Sequence, residues 1–179
     1  MIADNITFVI STLTLLSNIA FVLFVVLILI NTTFKNKVYL FVNRYVLELL
    51  FTFSFTALVG SLLYSNIVNF PPCDLCWIQR IFIYPQALIS FMAMLRKDKT
   101  VLYYLFPLTL LGTLVAFYHS LTNWGLGGSL LDCTAVGGEC SKVYVLEYGY
   151  ITIPFMALTS FLFLLAISVL YYFSTQEKV

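Results

Sequence analysis

The segment Pro71-Pro72-Cys73-Asp74-Leu75-Cys76-Trp77-Ile78-Gln79-Arg80-Ile81-Phe82-Ile83-Tyr84-Pro85-Gln86 sets two cysteines where a short polar loop enters an apolar run. If the run is a helix, Cys76 and Arg80 lie one turn apart on one face. Arg80 then sits just inside the hydrocarbon edge of a bilayer, where a cation needs a reason to be. A Cys-x-x-Cys pair can cycle between dithiol and disulfide. A cation and a helix N-terminus beside Cys76 both favour its thiolate. The segment predicts a transmembrane helix with a redox centre at its mouth.

The rest of the 179-residue chain agrees with a membrane setting. Apolar residues make up 61% and charged residues 9% of it, more apolar surface than a soluble domain of this size can hide. A net charge of +1 gives no case for nucleic-acid binding. Apolar runs cover about residues 7–30, 44–66, 75–95, 101–121 and 150–173, each long enough to cross a bilayer. The first run is too long for a signal-peptide core, and no small-x-small cleavage site follows it. Lys35, Lys37, Arg96, Lys97 and Lys99 fall in two inter-span segments, 31–43 and the one after residue 95. The positive-inside rule makes both cytoplasmic, with the N-terminus outside and the C-terminus, at Gln176, Glu177 and Lys178, inside. Arg44 and Glu48 are expected as an interfacial pair. Pro85 is expected to kink the third span, and Gly112 to permit close helix packing in the fourth.

Both cysteine pairs then fall on the outer side, which is the oxidising side in bacteria. Cys133 and Cys140 lie in a loop of about residues 122–149, where Gly125, Gly127, Gly128, Gly137 and Gly138 read as mobility. Residues 141–148 are expected as a short helix on the membrane surface. Two pairs on one face suggest a relay. The loop pair can meet a soluble partner, and the anchored pair, Cys73 and Cys76, something dissolved in the lipid bilayer. Thiol–disulfide exchange moves two electrons between them. A membrane quinone, ubiquinone or menaquinone, is the available two-electron acceptor at that depth. Arg80 is a candidate to hold its oxygen. His119 reads either as a satisfied interfacial histidine or as a lining residue of the same pocket. No metal is expected: Cys-x-x-Cys is a common zinc half-site, but the six-residue spacing of Cys133 and Cys140 is unusual for one. Inert structural disulfides in a non-enzymatic membrane subunit are a further reading, disfavoured by the intramembrane arginine.

The string Cys73-Asp74-Leu75-Cys76-Trp77-Ile78-Gln79-Arg80, running on to Tyr84-Pro85, closely resembles the signature of the DsbB family of disulfide bond formation proteins, most of all its BdbC-type branch. Gly149-Tyr150-Ile151-Thr152-Ile153-Pro154, followed by Ala157-Leu158-Thr159, is similar to the start of that branch's last helix. The resemblance covers about residues 44–175. It implies an all-α transmembrane four-helix bundle that reoxidises a DsbA-like thioredoxin-fold partner and passes electrons to quinone. It also implies a location in the bacterial inner membrane. Carried over, Cys133 is attacked by the partner, and Cys140 exchanges with the Cys73–Cys76 pair, with Cys73 as the contact. Cys76 faces the quinone, and Arg80 matches the quinone-site arginine. The departure is an additional N-terminal span. The chain accordingly divides into residues 1–36, the extra helix with a cytoplasmic loop, and 37–179, the four-helix redox domain. A vitamin K epoxide reductase-like enzyme uses similar parts, but there the loop pair precedes the Cys-x-x-Cys, the reverse of the order here.

Overall fold

A computed structural model describes residues 2–126, 131, 133 and 138–176. Gly127, Gly128, Gly137, Glu177 and Lys178, on which parts of the sequence reading fell, lie outside the described residues. Five helices are long and apolar enough to cross a membrane. They are α1 (Ile2–Ile30), α2 (Thr32–Leu62), α3 (Asp74–Arg96), α4 (Leu102–Asn123) and α5 (Ile153–Gln176). No sheet forms among the described residues; the Glu147–Ile151 pair is an isolated antiparallel bridge.

Helices α2, α3, α4 and α5 close a ring in which α2 touches α3 and α5, and α4 touches α3 and α5. Apolar side chains fill it, among them Val46, Leu50, Ile83, Leu105, Phe161 and Leu164. Lipid outside gives no hydrophobic drive between helices, so close packing and interhelical hydrogen bonds hold the ring. Thr109 Oγ1 donates to Gln86 Oε1 at 2.8 Å, and the Ser54 and Ser90 hydroxyls meet at 3.3 Å. The close approach expected at Gly112 is present: a Cβ there would lie 2.2 Å from Phe161 Cε1. Helix α1 stands outside the ring, against α2 and α5.

Three expectations need correction. Residues 31–43 are not a loop. Asn31 caps α2, its Oδ1 accepting from the Phe34 N–H at 3.0 Å, and helix runs on from Thr32. Val38 and Val42, one turn apart, give this stretch a buried face that a short-window search for spans passes over. The break falls later, at Tyr45, whose φ of −113° and ψ of 18° are not helical. Beside the break, the Lys99 ammonium donates to the Asn43 carbonyl. Arg44 and Glu48 form no ion pair; the Arg44 guanidinium lies 5.3 Å from the centre of the Tyr45 ring. Residues 141–148 are not a surface helix: a single 3₁₀ turn, Glu139–Ser141, leads into irregular chain and the bridge at Glu147. Helix α3 continues through Pro85 as one element.

The fold gives the bundle two unlike ends. One gathers the start of α2, the end of α3 and the start of α4, with Lys35, Lys37, Arg96, Lys97 and Lys99. The other gathers the start of α3, the end of α4 and the Glu139–Ser141 turn, with all four cysteines.

Candidate redox site

Two prolines hold the chain extended up to Cys73, which is the N-cap of α3 with φ −76° and ψ 173°. Helix geometry then brings Cys76 back under it, with the two Sγ atoms 2.9 Å apart. Cys73 is buried, and Cys76 is partly exposed. Cys133 and Cys140 are joined as a disulfide, with Cα atoms 5.2 Å apart. Cys140 shares one buried cluster with Cys73 and Leu75, and Cys76 and Cys133 pack against that cluster. The structure thus brings together the four cysteines singled out from sequence.

Helix α4 links the pairs. His119 and Asn123 are four residues apart and so share a face. His119 Nε2 lies 3.7 Å from Cys73 Sγ, while Asn123 Nδ2 donates to the Cys140 carbonyl at 2.9 Å. His119 is buried, at 2% exposure, its Nδ1 meets Gln79 Nε2 at 3.2 Å, and it lines the same cavity as Arg80. Hydrogen bonding from Cys76, together with His119, holds the Cys73 thiol well below its ordinary range, against the opposing effect of burial. The sequence reading placed the favoured thiolate on Cys76; these contacts favour Cys73.

Arg80 lies one turn below Cys76 and is fixed from α2. Its Nε donates to Ser61 Oγ at 2.9 Å and its Nη2 to the Ser61 carbonyl at 3.3 Å. The guanidinium also sits 5.0 Å from the centre of the Trp77 ring. Ser61 takes two of the five guanidinium N–H donors, leaving three for a ligand. A five-residue π-helical turn, Leu63–Ile67, follows at once. The Ser61 carbonyl also accepts from the Ser65 hydroxyl of that turn at 3.1 Å. Sequence reading missed Ser61 and the part played by Gln79 and Asn123. Only Gln79 carried a signal, being a polar residue inside an apolar run.

Cys73, Cys76, Gln79, Arg80 and His119 all line the head of one cavity of about 440 Å³, whose walls are mostly apolar and are supplied by α1, α2 and α5. That volume suits a small organic ligand. The donor atoms of Cys73, Cys76 and His119 lie within 4.8 Å of one another. No fourth Cys, His or carboxylate joins them among the described residues, whereas a structural zinc site takes four.

The model of the family described as "Disulfide bond formation protein DsbB" matches residues 43–171. The chain is 39% identical over 113 residues to the SPbeta prophage-derived disulfide bond formation protein B of Bacillus subtilis (strain 168), covering 63% of this chain and 76% of that protein. It is 35% identical over 137 residues to the probable disulfide formation protein C 2 of Bacillus anthracis, covering 76% of this chain and 95% of that protein. It is 35% identical over 131 residues to the disulfide bond formation protein C of Bacillus subtilis (strain 168), covering 73% and 91%. No solved structure matches. Helix α1 precedes the matched region, and the Bacillus anthracis relative, almost fully aligned, has too little chain left over for another span. With five apolar helices, clustered cysteines and these matches, the chain belongs to the DsbB family of disulfide bond formation proteins, as a multi-pass membrane protein that handles thiol–disulfide chemistry.

Proposed function

We propose that the chain is a quinone-dependent protein-disulfide oxidoreductase of the BdbC-type branch, reoxidising a DsbA-like thioredoxin-fold partner for disulfide formation in exported proteins. The observation that carries this is the position of Cys73. It is packed with Cys140 in one buried cluster, and it lines the head of an apolar cavity shared with Cys76 and Arg80.

The partner's dithiol attacks the Cys133–Cys140 disulfide, forming a mixed disulfide at Cys133 and releasing the Cys140 thiolate. The partner's second thiol then expels Cys133, so the partner leaves oxidised and both loop cysteines are thiols. These in turn reduce a Cys73–Cys76 disulfide by the same exchange, through a Cys140–Cys73 bridge. Asn123 and His119 keep the two cysteines beside one face of α4 during that step. A bound quinone supplies a sink for the two electrons and two protons that the Cys73–Cys76 dithiol gives up. Arg80, braced by Ser61, offers three N–H groups to a carbonyl oxygen and stabilises negative charge there. His119, held by Gln79, takes the proton of the Cys73 thiol. The residues fit such a ligand: a cation at the head, carbon along the walls, and a volume of the right order.

The bundle sits in the bacterial cytoplasmic membrane with the cysteine end facing out, and the basic end, with five Lys and Arg, facing the cytoplasm. Residues 37–179 are the redox domain, and 1–36 are an added element. The test is reduction of quinone by a reduced thioredoxin-fold partner, followed by absorbance. Each of Cys73→Ser, Cys76→Ser, Cys133→Ser and Cys140→Ser is expected to abolish turnover. Full turnover without Cys133 and Cys140 would refute the relay.

A further inference from the structure

Helix α1 is unlike an idle anchor. Most of its surface faces lipid, with Phe8, Leu16, Ile19 and Leu23 all half exposed or more. Yet Thr7, Ser11, Thr14 and Asn18 recur at spacings of four, three and four, so they form one polar seam along the helix. Thr7 and Ser11 are buried, at 9% and 0% exposure. Thr159 Oγ1 of α5 donates to Asn18 Oδ1 at 3.1 Å. Phe21 meets Phe163 of α5 edge-on, with ring centres 4.8 Å apart. Asn18 and Phe21 therefore set the rotation of α1 against α5.

That docking places Thr14 and Ser17 in the wall of the cavity that begins at Cys76 and Arg80. The opposite walls are Phe53 and Ala57 of α2 and Ala157 and Phe163 of α5. From Pro154 to Phe163 the cavity follows α5 for about 14 Å into the span, at 1.5 Å rise per residue. Without α1, this space would be an open groove between α2 and α5, facing lipid.

We infer that α1 closes a tail-binding channel: it walls in the prenyl chain of the quinone whose head lies at Arg80 and Cys76. The inference rests on the quinone reading above. The occupant follows from continuity: the channel opens into the redox head at one end, and its mostly apolar walls suit a hydrocarbon chain. The consequence is selectivity for long-tailed quinones and retention of the quinone between turnovers.

The experiment uses the full chain in detergent micelles, with a prenylated naphthoquinone and its tail-free methyl analogue as paired substrates. Ser17→Trp fills the α1 side of the channel. Excluding even one methylene from a fitted apolar site lowers kcat/KM by about tenfold or more. The ratio of kcat/KM for prenylated over tail-free quinone is therefore expected to fall roughly tenfold. Leu16→Trp, on the lipid face of α1, is expected to leave the ratio at its wild-type value. Independently of turnover, a prenyl quinone with a photoreactive group at the end of its chain is expected to label α1 peptides of the wild-type protein. An equal loss for both quinones in Ser17→Trp overturns the inference. So does labelling confined to α2 and α3, or a phospholipid retained where the prenyl chain is expected. A wild-type protein that reduces neither quinone removes the functional reading and the inference together. Reduction of both with no label on α1 removes the inference alone.

Discussion

Replacing Ser61 by alanine tests whether Arg80 acts as an aimed cation. The side chain has two acceptors on one residue: the Ser61 hydroxyl at 2.9 Å from Nε and the Ser61 carbonyl at 3.3 Å from Nη2. Ser61→Ala removes the shorter contact and keeps the longer. A hydrogen bond to a charged group contributes about 1.5–3 kcal/mol net. Because the carbonyl and the Trp77 ring still hold the guanidinium, the lower end applies. About 1.5 kcal/mol corresponds to roughly tenfold in an affinity. The apparent KM for quinone is therefore expected to rise roughly tenfold. Single-turnover exchange between a reduced partner and the Cys133–Cys140 pair, measured with no quinone present, is expected to keep its rate, since neither loop cysteine touches Arg80. Ser61→Thr retains the hydroxyl and should restore the KM. An unchanged quinone KM in Ser61→Ala would refute the bracing role, and equal losses in both assays would point to a damaged fold instead.

Gly112→Ala puts a Cβ 2.2 Å from the buried Phe161 ring and is expected to destabilise the bundle by about 1–3 kcal/mol, read as a lower unfolding midpoint in detergent; Gly60→Ala, with nothing within 4 Å, should not. A partner lacking its second cysteine should open the Cys133–Cys140 disulfide of the intact protein and stay on Cys133 as a mixed disulfide, visible on non-reducing gels, because no second partner thiol is there to expel Cys133; trapping on Cys73 instead would reverse the proposed path. The Cys73 thiol is held below the ordinary value of about 8.5. Its thiolate should persist as the pH falls, so alkylation of Cys73, followed by mass spectrometry, should stay nearly flat from about pH 8.5 to about pH 6.5. His119→Ala removes one lowering partner while Cys76 remains, so the pH at which alkylation falls off should move up; an unmoved midpoint would show that His119 does not act on Cys73.

The spans were legible because lipid demands long apolar runs, and the centre because cysteines and an intramembrane arginine are rare there. What stayed hidden depended on contacts across the chain. The helix from Thr32 to Asn43 is polar enough to read as a loop, and only its valines, packed on the ring, declare it. Ser61 is one serine among many; its meaning comes from Arg80, nineteen residues on. For His119 the sequence left two readings open, because depth along a helix does not tell which way a ring faces. In the loop after Cys140, Val143 and Leu146 set apart from Lys142 and Glu147 mimic a surface helix until Tyr148 and Gly149 take positive φ and the chain turns back on Ile151.

Asn31 is the sole residue between α1 and α2. So short a connection fixes how far α1 reaches along its neighbours, much as a hinge pin fixes a door against its frame. The two helices are expected to enter the bilayer as one hairpin, with Phe24 meeting Phe34 across the bend at 6.2 Å. Lengthening α1 by one residue between Asn18 and Ile30 would turn everything before it by about 100° and slide it about 1.5 Å. Asn18 would leave Thr159, and the seam from Thr7 to Asn18 would rotate toward lipid. Indels here should be far less tolerated than substitutions, although the segment reads as a plain membrane anchor.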